Sequence, residues 1–288
     1  MNDQIKYYVM DDFIDPSICK ELIKDFDIYT EEMNLAFIHG GRKILPNTSS
    51  HFIKMLKASK AWKNFYTSVN NNDFMEFCLN KLEYQKKNKL TLESFFTKKA
   101  SLLTLRIKSI GERHAMNSST LGLIAYIFYR SYIYGKKTII YNFLYKIFSR
   151  KIPVELLFDV SKSGVGYERE IHRDSDSRII VFLLYFNALA KETIGGNLSL
   201  YRYSGLNKDA QRSVLTYNDS ILLHSIKPRP GRLVIFLNDK NAYHAVDKMV
   251  QCSNYRYFCY GAFTSLNSKN LINSKLSLQS DTDFKKYI

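Results

Sequence analysis

Eight consecutive apolar residues, Ile179-Ile-Val-Phe-Leu-Leu-Tyr-Phe186, stand between polar Asp176-Ser-Arg178 and Asn187. A run this short and this rich in β-branched and aromatic residues reads as a buried strand. Further strand-like runs surround it: Glu155–Val160, Leu198–Tyr203, Ser220–Leu223, Arg232–Phe236 and Tyr255–Phe263. With the approach at 172–174 and the turn into His244, they make eight short antiparallel strands separated by Gly, Pro and polar turns. Such a series suits a double-stranded β-helix, the jelly roll.

The chain before this core has a different character. Lys6–Met10 reads as a short strand, followed by a helix through Phe26 with Asp15 as N-cap and Pro16 in its first turn. Apolar spacing predicts helices over Ser50–Ala58, Ala61–Asn70 and Asp73–Gln85, with the single tryptophan, Trp62, in the core. His39-Gly-Gly-Arg42-Lys43 reads as a surface turn, and Leu102–Ile107 alternates like a strand. Residues 114–154 contain no Asp or Glu, but six Lys or Arg and nine aromatics, and read as two helices broken near Gly135. The expected fold class is therefore α+β in a single domain. Residues 1–113 are mainly helical support, 114–154 a basic aromatic helical insert, 155–266 the jelly-roll core and 267–288 a polar tail.

The chemistry concentrates in Tyr167-Glu-Arg-Glu-Ile-His172-Arg-Asp174, just before the long apolar run. Side chains alternate along a strand, so His172 and Asp174 project from one face. An imidazole beside a carboxylate makes two-thirds of a facial metal triad. Of the six histidines, His244 is the candidate for the third ligand, because it follows the strand-like Arg232–Phe236. Twelve residues after it comes Arg256, inside another strand-like run.

This order of His-x-Asp, a long gap, His, a short gap and Arg resembles the iron(II)/2-oxoglutarate-dependent oxygenases, within them the prolyl-4-hydroxylase-like branch. Gly195-Gly196-Asn-Leu198 is similar to the family's Gly-Gly-x-Leu turn, and Pro228-Arg-Pro-Gly231 before Arg232–Phe236 to its Pro-x-x-Gly turn into a strand. The match covers roughly residues 156 to 265. The resemblance implies that His172, Asp174 and His244 bind Fe(II), and that O2 and 2-oxoglutarate are consumed with release of succinate and CO2. It further implies that Arg256 binds the distal carboxylate of 2-oxoglutarate through two parallel hydrogen bonds. His224 also lies near a strand, but no arginine follows it at a family-like distance. Where relatives often carry an acidic residue after the double glycine this chain has Asn197, and where some branches carry a serine two residues after the arginine it has Phe258. Tyr167, Tyr185 and Tyr201 are candidates for the missing cosubstrate contacts. Asp174 argues against the halogenase variant, in which a small residue leaves that position to halide.

Arg173, Arg178 and Arg229 are candidates for the mouth of the site, where they would suit an anionic small molecule or a sugar phosphate; Arg178 could equally pair with Asp176. A small-molecule or saccharide hydroxylase is the leading expectation. A peptide or prolyl hydroxylase is the alternative, and a non-catalytic jelly-roll binding module a third reading that the intact ligand set opposes. The formal charge of +15, from 42 basic and 27 acidic residues, attracts polyanions. Nucleic acid rests on that charge alone, with no motif behind it. For residues 114–154 the expectation is peripheral contact with an anionic membrane surface. Four cysteines without a C-x-x-C pair, no apolar leader after Met1-Asn-Asp-Gln and no long apolar span suggest a cytoplasmic enzyme.

Overall fold

A computed structural model describes residues 5–32, 41–84, 89–92, 151–205 and 214–264 of the chain. Of these, the residues up to 84 and from 156 to 264 form one compact unit, and those between 89 and 155 form another. The strand expected at 102–107 and the basic aromatic stretch up to residue 150 lie outside the described residues.

The chain opens with β1 (Tyr7–Met10) and α1 (Pro16–Glu32). Asp15 caps α1 by accepting the Ser17 N–H at 2.7 Å, with Pro16 in the first turn, where its missing donor costs nothing. Next come β2 (Arg42–Pro46), α2 (Ser50–Ala58), α3 (Lys60–Val69) and α4 (Asn72–Lys81). Each of these three helices starts on a side chain that accepts a backbone N–H of its first turn: Ser49, Ser59 and Asn71. The last helix ends about four residues before the expected Gln85, since Glu83 adopts a left-handed φ of 50°. Arg42 and Lys43 are strand residues and not the surface turn that the two glycines before them suggest.

Ser59 joins the helices to one another. Its backbone N–H closes α2 on the Met55 carbonyl at 2.8 Å, and its hydroxyl accepts the Trp62 N–H at 3.0 Å and donates to Asp25 of α1. Trp62 is fully buried and donates its indole N–H to the Leu22 carbonyl at 2.9 Å. Ser59→Ala should lower stability by about 1–2 kcal/mol, the usual loss of an N-cap. A urea midpoint unchanged from the parent would show that the cap is dispensable.

After β3 (Lys89–Leu92) the chain continues with β4 (Lys151–Ser163), β5 (Arg169–His172), β6 (Arg178–Tyr185), β7 (Leu198–Tyr203), β8 (Ser220–Ile226), β9 (Leu233–Leu237), β10 (Tyr243–Val246) and β11 (Arg256–Thr264). Residues 151–154, expected at the end of a helical insert, are strand. They pair in parallel with β3, and Pro153 could not sit inside a helix without losing a hydrogen bond.

The larger sheet runs β1-β9-β6-β11-β4-β2 and the smaller β5-β10-β7-β8, giving the two layers of a jelly roll. Alternation on β6 explains how the layers stack. Phe182 meets Phe74 of α4 edge-on at 5.1 Å, and Phe186 meets Trp62 of α3 at 5.6 Å. Val181, Leu183 and Tyr185 face the other way, into a core shared with Leu198 and Leu200 of β7 and Val246 of β10. Two tight turns require glycine: Gly195 and Gly231 both have positive φ, and a Cβ there would run into the carbonyls of Lys248 and Ile14 respectively.

Candidate metal centre

The smaller sheet brings the histidines together. His244 on β10 lies directly opposite His172 at the end of β5, with ring centroids 4.4 Å apart. Their neighbours Ile171, Tyr243 and Ala245 form a separate apolar cluster on the opposite face, so both imidazoles point between the sheets. Asp174 follows His172 by two residues. Its Oδ1 is 3.9 Å from His172 Nε2 and its Oδ2 is 3.8 Å from His244 Nε2. The ligand atoms of all three residues lie within 4.8 Å of one another.

The tautomers follow from the backbone. His172 Nδ1 is 2.7 Å from the Glu170 carbonyl and His244 Nδ1 is 3.1 Å from the Ala242 carbonyl. A carbonyl can only accept, so Nδ1 carries the proton and each Nε2 keeps a lone pair facing Asp174. Burial, then repulsion from His244, pushes the His172 pKa down to about 4; burial also lowers His244, although Asp174 opposes it. Both rings are therefore neutral near pH 7, the form that binds metals. Burial resists the charge on Asp174, but His244, Arg178 and the Tyr260 hydroxyl together hold its pKa below the ordinary value.

The loop carrying Asp174 is braced. Arg178 pairs with Asp174 Oδ1, and the Tyr260 hydroxyl donates to Oδ2 at 2.8 Å. Asn238, just past β9, donates to the carbonyls of Ser175 and Arg178 at 2.9 and 3.1 Å. Burial and the adjacent carboxylate push the Tyr260 pKa well up, which keeps its O–H a donor. Neither Tyr260 nor Asn238 belongs to a sequence motif, and nothing local in the chain points to them.

Arg256 is fully buried on β11. Its Nη2 donates to the Tyr185 hydroxyl at 3.2 Å, while Nε and Nη1 have no hydrogen-bond partner among the described residues. Phe258, Tyr185 and Tyr167 surround the guanidinium, with ring centroids 4.2, 5.0 and 5.9 Å from its Cζ. Arg42 approaches the same aromatics, 5.2 Å from Phe258 and 5.9 Å from Tyr167, and is held there by Asp159 at 2.6 Å and Ser161 at 2.9 Å. Phe258, at the position where a serine would offer a polar contact, offers a ring face.

The other candidates lie elsewhere. Tyr201 packs with Tyr243 and Ile171 on the outer face of the smaller sheet, away from Arg256. The His224 ring lies tilted against Tyr7, with centroids 4.9 Å apart, and takes no part in the cluster. Arg173 pairs with Asp176 at 3.2 Å, and Arg178 pairs with Asp174. Arg229 has a side chain 63% exposed and sits 3.5 Å from Asp11.

Residues 158–264 match the model of the 2OG-Fe(II) oxygenase superfamily, whose members use Fe(II), 2-oxoglutarate and O2. No curated protein matches the chain in sequence. Among solved structures, a prolyl 4-hydroxylase from Phytophthora capsici is similar at 12% identity and a TM-score of 0.48, over 91% of this chain but 60% of that one. A Pseudomonas putida prolyl-4-hydroxylase gives 13% and 0.45 over 91% and 93%, respectively. A Trichoplax adhaerens prolyl hydroxylase, solved with a hypoxia inducible factor peptide fragment, gives 13% and 0.42 over 94% and 88%. The donor set fits the family's two ligands. Two neutral imidazoles and a carboxylate suit Fe(II), and a buried guanidinium with two nitrogens unpartnered among the described residues suits a carboxylate.

Proposed function

We propose, from the premise that residues 158–264 belong to the 2OG-Fe(II) oxygenase superfamily and make the chain a dioxygenase, that it hydroxylates a C–H bond of a small, sugar-like substrate. In this reading His172, Asp174 and His244 hold Fe(II), and Arg256 receives the distal carboxylate of 2-oxoglutarate. The chain falls in the prolyl-4-hydroxylase-like branch by its His-x-Asp, Gly-Gly-x-Leu and Pro-x-x-Gly motifs. The observation that carries the reading is Arg256, a fully buried cation with two nitrogens unpartnered among the described residues. A buried charge needs a counter-charge.

Iron with 2-oxoglutarate supplies the activation of O2 that ends in succinate, CO2 and a hydroxylated product. The protein's residues orient and enclose. The Glu170 and Ala242 carbonyls keep each histidine proton on Nδ1, so that Nε2 stays available. Tyr185 and Tyr167 line the approach to Arg256, and the Tyr185 hydroxyl, pushed up in pKa mainly by burial, stays protonated there. Of the three arginines expected at the mouth, Arg173 pairs with Asp176 and Arg178 with Asp174, while Arg229 shares Asp11 with Arg232. That occupancy favours neutral hydroxylated substrates over anionic ones.

The test is succinate release with Fe(II), 2-oxoglutarate and O2 across sugars, sugar phosphates and proline-containing peptides. Neutral hydroxylated compounds should raise the rate above the substrate-free background. Stimulation by peptides alone would overturn the substrate class, and no 2-oxoglutarate conversion under any condition would overturn the oxygenase reading.

A further inference from the structure

The inner face of β11 carries Arg256, Phe258 and Tyr260 in alternation. Arg256 reaches the Tyr185 hydroxyl and Phe258 packs over the guanidinium, while the next inward side chain, Tyr260, leaves this cluster and touches the triad. Its hydroxyl sits 2.8 Å from Asp174 Oδ2, the oxygen that faces His244. The other oxygen, Oδ1, faces His172 and is held by Arg178, whose guanidinium lies 5.3 Å from the centre of the Tyr260 ring. Each carboxylate oxygen thus has one histidine and one hydrogen-bond donor beside it. A carboxylate with a single donor can rotate about its Cβ–Cγ bond; one with a donor on each oxygen is fixed in plane.

We propose that Tyr260 and Arg178 are positioning residues that lock the Asp174 carboxylate between the two histidines, and that Tyr260 thereby ties the metal ligands to the strand that carries Arg256. The inference rests on the reading of His172, Asp174 and His244 as metal ligands. Arg178 anchors Asp174 from the first residue of β6, where the loop ends, four residues away. Tyr260 anchors it across the roll, from a strand that is paired with β6 and so fixed relative to Arg256. The two donors have different jobs: the arginine shapes the loop, and the tyrosine sets the loop's distance from the cosubstrate arginine.

The test is anaerobic titration of the full chain with Co(II) as a spectroscopic stand-in, followed by its visible absorption. Tyr260→Phe keeps the ring and removes the hydroxyl. It should weaken Co(II) binding about ten- to a hundredfold, the usual effect of losing a partner of a ligand. It should also change the shape of the absorption band while the thermal midpoint stays near the parent's. Arg178→Met should weaken binding similarly and Arg178→Lys should recover part of it, which a purely packing role would not produce. Co(II) affinity and spectrum unchanged in folded Tyr260→Phe, with binding lost in Asp174→Ala, would overturn the inference and leave the ligand assignment standing. A parent chain that binds no Co(II) would overturn both. Should Tyr260→Phe fail to fold, the Arg178 pair of variants decides: no loss in Arg178→Met, or no recovery in Arg178→Lys, rejects the lock.

Discussion

Replacing His172, Asp174 or His244 by Ala should abolish the visible charge-transfer band that Fe(II) and 2-oxoglutarate give together without oxygen, and with it all succinate formation. The reason is geometric. The three ligand atoms lie within 4.8 Å of one another, each imidazole offers one lone pair, and no further His, Cys, Asp or Glu joins the group among the described residues. Removing one donor leaves two with no neighbouring side chain of that kind among the described residues to replace it, so Fe(II) binding should fall sharply. His224→Ala is the matched control, since His224 packs against Tyr7 and should leave the band intact. The reverse outcome, with the band lost in His224→Ala and kept in His244→Ala, would reassign the third ligand.

Arg256→Ala should spare Fe(II) binding and raise the 2-oxoglutarate requirement by a hundredfold or more. Breaking a fully buried ion pair by removing one partner costs about 3–5 kcal/mol. Arg42, which packs on two of the same rings, is no ready substitute, because it is already held by Asp159 and Ser161. Arg256→Lys should regain only part of the affinity, since an ammonium cannot present two parallel N–H groups. The check is the 2-oxoglutarate dependence of the anaerobic band, read at saturating Fe(II). An unchanged dependence in Arg256→Ala would remove Arg256 from the cosubstrate site.

Much of this architecture can be read locally. The apolar run at 179–186 is a strand because nothing polar interrupts it, and Asp15-Pro16 starts a helix because capping and proline geometry act over two residues. The spacing of His172 and Asp174 places both on one side of a chain segment before any fold is known. What could not be read depends on pairings between distant segments. Arg42 meets Asp159 across more than a hundred residues, only because β2 pairs with β4. The two glycines before it look like a surface turn, but the arginine itself is a strand residue that turns inward. Tyr260 reaches Asp174 only through the register of β11 on β6. Arg229 pairs with Asp11 because the turn before β9 runs beside the end of β1. The misplaced end of the helical insert is of a different kind: aromatic content outweighed Pro153, whose missing N–H a helix interior does not tolerate.

The alternation along β11 separates two kinds of selective pressure. Tyr257 bonds Asp27 of α1 at 2.6 Å, and Phe263 packs on Phe74 and Phe182, so these odd positions belong to the helical backing. Gly261 belongs with them, since a Cβ there would strike the Phe182 ring. The even positions 256, 258 and 260 belong, in the proposed reading, to the site. Changes on the first face act on the scaffold alone, whereas changes on the second act on the proposed site and, through Phe258 and Tyr260, on the core between the sheets as well. A lineage carrying this strand can therefore drift in thermal tolerance without touching the proposed site, but not the reverse, along a single stretch of nine residues.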